Sequence, residues 1–256
     1  MSRSLWVAAA ACLASAGLVA APRDARLSGF EFMSRQTQAL QHDDALNPGM
    51  LWVAEGEHLW RRKGGAGAPA CADCHGEAAT RMRGVAARYP AFDADSQRPI
   101  DLAQRINMCR QQRQQAAPWA AESAELLGLS TYVAHQSRGL PMAPDPDPRL
   151  QAFRDNGRRL YSKRIGQLDL SCAQCHDGLA GQRLGGSPIP QAHPTGYPLY
   201  RLEWQTLGSL QRRLRSCMTG VRAEPFDYGA PELIELELFL AERARDMPVE
   251  TPAVRP

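Results

Sequence analysis

Aromatic residues are scarce, 7% of a 256-residue chain, and nowhere do they alternate with a dense run of lysine and arginine. This excludes the basic, stacking surfaces that grip nucleic acid. A strong charge of either sign is also missing. The formal net charge is +3, compatible with small anionic substrates or an acidic patch on a protein partner. The one long apolar run, Leu5 to Val19, is too short for a comfortable membrane span and is closed off by Arg23 and Asp24. With Arg3 before it and the small residues Ala20 and Ala21 after it, the run reads as an export signal over residues 1–21, removed on the way to the periplasm. Cys12 sits too early in the run for a lipoprotein acceptor and leaves with the signal.

What is present, besides abundant glycine and proline, is a set of six further cysteines: Cys71, Cys74, Cys109, Cys172, Cys175 and Cys217. An even count in an exported chain ordinarily means disulfides, but the spacing points elsewhere. The length allows one large domain or two small ones. Residues 22–45 show no clear period, and Ser28 to Met33 reads as an arm packed on the body. A helix is expected from Asn47-Pro48, capped by Asn47, carrying Leu51, Trp52, Leu59 and Trp60 and ended by Gly64-Gly65. Cys71-Ala-Asp-Cys74-His75 follows, then helical patterns over Ile100 to Gln111 and Glu122 to His135. Ala143-Pro-Asp-Pro-Asp-Pro148 reads as a semi-rigid connector, which divides the mature chain into 22–146 and 147–256. The series then restarts with a helix over Leu150 to Arg164, Cys172-Ala-Gln-Cys175-His176, and helices over Leu207 to Met218 and Pro231 to Arg245.

The restart is in register. Gly56-x-x-Leu59-Trp60 matches Gly157-x-x-Leu160-Tyr161, each glycine standing 15 positions before its first motif cysteine. Tyr89-Pro90 matches Tyr197-Pro198, each tyrosine 20 positions before the later cysteine. Arg105-x-x-x-Cys109 matches Arg213-x-x-x-Cys217, and Glu125-Leu126 and Tyr132 match Glu232-Leu233 and Phe239 with one residue of slippage. The expectation is an all-α protein of two tandem domains related by internal duplication.

C-x-x-C-H is the attachment signature of c-type haem: two thiols bond the macrocycle and the adjacent histidine becomes an axial iron ligand. A zinc ribbon needs its second cysteine pair roughly 15 to 20 residues on, whereas 101 positions separate the motifs here. A thioredoxin-like dithiol needs a βαβ setting, and the pattern is helical. Two covalently bound haem c groups are therefore expected, on Cys71, Cys74 and His75 and on Cys172, Cys175 and His176. The order of elements in each half resembles the class I cytochrome c fold. That resemblance implies a first helix crossing the last, with Gly56 or Gly157 allowing close approach beside Tyr132 or Phe239.

Where that fold normally supplies a methionine as sixth ligand, the chain places Cys109 and Cys217. Met142 comes after the last helix of its half, and Met108 and Met218 flank the cysteines on opposite sides. His58, His135 and His193 lack counterparts in the other half, although a bis-histidine haem is the rival assignment for either site. A thiolate at ferric iron stabilises the oxidised state and implies low potentials, an odd choice for a plain high-potential shuttle. Arg213, four residues before Cys217, shares its helix face and could hold an oxyanion. It could equally contact a haem propionate or solvent, as could Arg212, Arg215 and Arg222. Spacing does not choose between the halves, since Arg105 stands to Cys109 as Arg213 stands to Cys217.

The run Arg213-Leu-Arg-Ser-Cys217-Met-Thr-Gly-Val-Arg222-Ala-Glu-Pro225 is more specific. With Asp169-Leu-Ser-Cys172-Ala-Gln-Cys175-His176-Asp177 and His193-Pro-Thr-Gly-Tyr-Pro198, it resembles SoxA, the dihaem cytochrome family of the periplasmic sulfur-oxidising (Sox) system. The likeness reaches back through Asn47-Pro48-Gly49 and Gly56-Glu-His-Leu59-Trp60. It implies an L-cysteine S-thiosulfotransferase that pairs with the monohaem cytochrome SoxX and joins thiosulfate oxidatively to a cysteine of the carrier protein SoxYZ. By residue match it implies that Cys217 is the haem ligand that carries a persulfide and that Arg213 binds the substrate anion. The first haem, with Cys109, would lie remote from the reaction. A dihaem electron carrier without sulfur chemistry is the second reading.

Overall fold

A computed structural model describes residues 24–64 and 67–256. The expected signal over 1–21, with Cys12, lies outside the described residues. Helix α1 (Arg35–His42) forms where the sequence shows no apolar period. It is started by Ser34, whose hydroxyl accepts the Thr37 amide at 3.2 Å, and it buries only Thr37. Helix α2 (Met50–Arg61) begins after Gly49, two residues later than the expected Asn47 cap. The Asn47 side chain accepts the Gly49 amide at 2.9 Å and donates to the Pro252 carbonyl at 2.9 Å, so it makes a turn and a tie instead of a cap.

The first half continues with α3 (Cys71–His75), α4 (Ala78–Arg81), an antiparallel hairpin of β1 (Ala91–Asp93) and β2 (Arg98–Ile100), α5 (Leu102–Arg113) and α6 (Ala124–His135). The second half repeats this as α7 (Gln151–Ser162) and α8 (Cys172–His176), then a small hairpin of β3 (Arg183–Leu184) and β4 (Ser187–Pro188). A hairpin of β5 (Leu199–Arg201) and β6 (Thr206–Gly208), α9 (Leu210–Gly220) and α10 (Pro231–Arg243) complete it. Strand β7 (Val254–Arg255) returns parallel to β5. The two Tyr-Pro hairpins are structural equivalents: Ala91 pairs with Ile100 and Leu199 with Gly208, and Gln97 and Gln205 both take positive φ at the turn, 54° and 53°. Each is followed at once by a capped helix. Asp101 accepts the Gln104 amide at 2.6 Å ahead of α5, and Ser209 the Arg212 amide at 3.1 Å ahead of α9.

In each half the first helix crosses the last, α2 over α6 and α7 over α10. Gly56 lies against the carbonyl of Gly128 and the Tyr132 side chain, and Gly157 against the carbonyl of Glu235 and the Phe239 side chain. A Cβ at either glycine would collide with backbone, so the crossing distance is set by the missing side chain. Around the crossings stand two apolar cores. Val53, Leu59, Trp60, Ile106, Leu126, Leu129 and Tyr132 form the first, and Tyr161, Met218, Leu233, Leu236, Phe239 and Leu240 the second.

Between the halves lies a seam of Ala87, Met142, Ala241, Ala244, Met247 and Val249. The segment 143–148, expected as a connector, is hydrogen-bonded to the first half beside this seam. Ala143 donates to the Ala87 carbonyl at 3.0 Å, and Asp145 accepts the Phe92 amide at 2.8 Å. The seam also buries carboxyls. Asp101 accepts from Gln211 at 2.9 Å, and burial pushes its pKa up to about 6. Glu237 of α10 is held well above the usual carboxyl range, first by burial and then by the neighbouring Asp101 charge.

Candidate functional site

The second motif is a single helical turn built from its own flanks. Ser171 Oγ accepts the Gln174 amide at 3.2 Å, and Gln174 Oε1 accepts the Ser171 amide at 2.8 Å, a reciprocal cap that fixes where Cys172 begins. Cys172 and Cys175 then fall on one face, with His176 directly after. His176 Nδ1 lies 2.7 Å from the Pro190 carbonyl oxygen. A carbonyl can only accept, so Nδ1 carries the proton and Nε2 keeps its lone pair. Cys217 lines the same cavity as the His176 ring.

Cys217 and Arg213 project from α9 into one cavity of about 120 Å³, also lined by His176, Tyr197 and Arg201. Burial alone would raise the Cys217 thiol, but the neighbouring His176 ring and the Arg213 and Arg201 charges outweigh it and leave the pKa below the ordinary thiol value. Cys172 goes the other way, to about 11, because burial and the neighbouring Cys217 oppose its ionisation. A larger cavity, about 460 Å³, lies at the seam and is lined by Tyr89, Asp101, Glu122 and Glu237. It contains no motif cysteine or histidine, so the chemistry belongs to the smaller one.

The donor set fits a c-type haem. Two thiols are presented on one helical face. The histidine has its outer nitrogen fixed on a backbone carbonyl, as metal-ligating histidines characteristically do, and the Cys217 sulfur lines the same cavity. In the first half, Cys71 and Cys74 are placed likewise on α3, with the Asp73 carboxylate accepting the Ala70 amide at 2.8 Å. Cys109 lies beside Cys71, whose pKa is raised by burial and then by Cys109. His75 is exposed, its ring centroid 5.7 Å from that of Trp60, and it lines a surface pocket with Cys74, Arg81 and Met82. His176 and Cys217 thus share a cavity; the pairing of His75 with Cys109 rests on the duplication.

Met142, Met218, His58 and His135 do not line the Cys217 cavity. Met142 is buried in the seam and Met218 in the second core. His58 is exposed, and His135 is half-buried, its Nε2 enclosed at the end of α6. His193 lines the Cys217 cavity but its Nδ1 is taken by the Leu27 carbonyl at 2.8 Å. The neighbouring arginines are also accounted for: Arg212 stacks over Trp204 at 4.2 Å and Arg215 over Tyr228 at 4.5 Å, while Arg222 sits in a turn at φ 58°.

The two halves differ where spacing could not separate them. Arg105 donates to Asp93 at 2.6 Å, and Asp93 is 3% exposed. Arg213 forms no ion pair among the described residues. Arg201, 7% exposed, faces the same cavity and feels the Arg213 charge, which together with burial lowers its own pKa. Sequence reasoning missed Arg201. The signal was available: carrying the Tyr89 to Tyr197 register forward by four positions aligns Asp93 with Arg201.

The SoxA/TsdA cytochrome c domain family matches the chain twice, over residues 55–142 and 156–249. The L-cysteine S-thiosulfotransferase subunit SoxA of Pseudaminobacter salicylatoxidans is 37% identical over 91% of this chain and 82% of its own length. The subunit of the same name from Rhodovulum sulfidophilum is 37% identical over 89% of this chain and 79% of its own. Among solved structures, SoxXA from P. pantotrophus superposes with a TM-score of 0.86 at 30% identity, covering 90% of this chain and 87% of that one. Two crossed-helix halves, two C-x-x-C-H turns and these matches make the chain a two-domain member of the SoxA/TsdA cytochrome c family.

Proposed function

We propose that this chain is the SoxA subunit of an L-cysteine S-thiosulfotransferase, joining thiosulfate to a cysteine of a carrier protein in periplasmic sulfur oxidation. The observation that carries the reading is the shared cavity of His176, Cys217 and Arg213, in which Arg213 has no carboxylate partner among the described residues while its counterpart Arg105 is tied to Asp93. The activity for which the relatives are named supports it.

Two covalently bound haem c groups belong to it, one in each of the halves 22–146 and 147–256. Cys71, Cys74, His75 and Cys109 would hold the first, and Cys172, Cys175, His176 and Cys217 the second. When bound, such a group supplies one-electron oxidation and reduction. The net reaction takes thiosulfate and a carrier thiol to carrier Cys–S–S–SO3⁻, one proton and two electrons. Two electrons need more than a single one-electron centre, which gives a reason for a cytochrome partner. SoxX fits that role, since the structural relative is a SoxXA complex, and SoxYZ is the carrier the resemblance implies.

The chain's own residues divide the work. The Arg213 guanidinium binds the substrate anion by paired, charge-assisted hydrogen bonds. The Pro190 carbonyl keeps His176 in one tautomer and orientation. Cys217 carries a persulfide whose outer sulfur bonds the sulfane sulfur of thiosulfate as two electrons and a proton leave. The carrier thiol then takes the S–SO3⁻ unit and releases the persulfide. No described helix is long and apolar enough to cross a membrane, and the signal over 1–21 supports export to the periplasm.

Replacing Cys217 with Ala tests the reading in a thiosulfate-dependent carrier-conjugation assay. Conjugation should disappear while both covalent haems remain, and retained turnover would overturn it. An electron carrier without sulfur chemistry would also show no added sulfur atom on the Cys217 peptide.

A further inference from the structure

Asp93 and Arg201 occupy the same position, the last residue of the first strand in each Tyr-Pro hairpin. In the first half the acid at this position neutralises the arginine that precedes the haem-site cysteine, Asp93 accepting from Arg105 at 2.6 Å. The second half carries the opposite charge there. Arg201 is 7% exposed, and its only carboxylate partner among the described residues is Glu203, at 2.9 Å and itself 67% exposed. Its Nε is buried without an acceptor among the described residues. The guanidinium thus stands inside the cavity with a donor unspent, beside a second guanidinium at Arg213.

A buried guanidinium at Arg201 and a half-buried one at Arg213 repel each other at one cavity, and an unsatisfied buried donor costs free energy. Both penalties are relieved by an anion with several oxygens. Thiosulfate has that form: a dianion with three sulfonate oxygens at one end and a sulfane sulfur at the other. Arg213 alone meets only one of the dianion's two negative charges, and Arg201 supplies the second positive charge at the same cavity. Two arginines offset the approach of a dianion to a negatively polarised sulfur.

We propose that Arg201 is a second substrate-binding residue of the Cys217 site, its guanidinium and that of Arg213 together gripping the sulfonate of thiosulfate so that the sulfane sulfur points to Cys217 Sγ. This rests on the function proposed above and adds the residue that confines binding to one half. The first half cannot hold the anion in this way, because Asp93 fills the place of the second arginine.

The test compares wild type with Arg201→Gln, Arg201→Lys and Arg201→Asp in the haem-loaded complex with its cytochrome partner. Three readouts are taken: calorimetric titration with thiosulfate in the absence of carrier, steady-state KM and kcat with carrier, and the haem midpoint potentials without thiosulfate. Arg201→Gln should weaken thiosulfate binding and raise KM roughly ten- to a hundredfold, with kcat and the substrate-free potentials little changed. Arg201→Lys should keep the charge but lose the paired geometry, giving an intermediate loss; it carries the test if the Gln variant does not assemble. Arg201→Asp recreates the first half's ion pair across Arg213 and should abolish binding.

Unchanged binding and KM in these variants, with wild type conjugating normally, would overturn the proposal and leave the function standing. Shifted potentials with unchanged KM would assign Arg201 to a haem propionate and overturn it equally. A wild type that binds thiosulfate without conjugating it would sink the function, while the titrations would still decide Arg201. A wild type that neither binds nor conjugates thiosulfate would remove both.

Discussion

Arg105 and Asp93 close an ion pair at 2.6 Å on the very strand where the second half places Arg201. The first half thereby keeps the duplicated arginine and cysteine but binds its own counter-ion. Arg105→Ala should leave thiosulfate conjugation within about twofold of wild type, whereas Arg213→Ala should reduce kcat/KM by roughly a hundredfold or more. Because Asp93 is buried, Arg105→Ala should also cost about 1–3 kcal/mol of stability. Conjugation kinetics and denaturant midpoints on the same two proteins check both statements.

Gly157 and Gly56 set the two helix crossings, each lying against a carbonyl of the partner helix. Gly157→Ala should force α7 away from α10 and destabilise the second half by about 1–3 kcal/mol. The measurement is the chemical-denaturation midpoint, with the Soret absorbance per chain reporting whether the second haem still assembles. A neutral outcome would mean that the Glu235 backbone yields more readily than a packed crossing should.

The seam carboxyls give stability a pH dependence with a defined sign. Asp101 moves from 3.8 in the unfolded chain to about 6 in the folded one, so the folded state binds the proton more tightly. Its stabilising protonation is complete below pH 3.8 and is lost as pH rises through about 6. Glu237 acts in the same direction, and Glu122 adds further negative charge beside it. Glu237→Gln should therefore raise the thermal midpoint near pH 7 and flatten its decline between about pH 4 and 7 relative to wild type. A variant whose midpoint follows the wild-type curve would refute the assignment.

Covalent attachment is separable by half. Replacing both Cys172 and Cys175 with Ser should lower the intact mass by one haem and abolish conjugation. The matching change at Cys71 and Cys74 should remove one haem and leave Arg213 and Cys217 in place. Intact-mass measurement of the purified chains reads the haem count, and the carrier-conjugation assay reads the activity.

Much of the architecture is legible in the sequence because duplication supplies an internal control. The glycines, the Tyr-Pro pairs and the Arg-x-x-x-Cys segments fall into register by position alone, and the crossings sit where Gly56 and Gly157 place them. The hairpins are not legible, since three-residue strands such as Leu199-Tyr-Arg201 carry no measurable alternation. Helix α1 escapes detection because it presents no apolar stripe, and Asn47 misleads as a cap because its side chain is drawn to the distant Pro252 carbonyl. Arg201 lies in plain view, but its meaning depends on what faces it across the cavity, and only the fold brings Arg213 and Cys217 there.

The segment 247–255 touches both halves. It accepts from Gly139 at Val249 and from Met142 at Met247, meets Asn47 at Pro252, binds Gln41 through the Val254 amide, and pairs with Tyr200 through Ala253. A strap of this kind ties two globules into one cooperative unit. Neither half can lose its packing without releasing a segment on which the other depends, so heat should melt the protein in a single transition where two independent domains would give two.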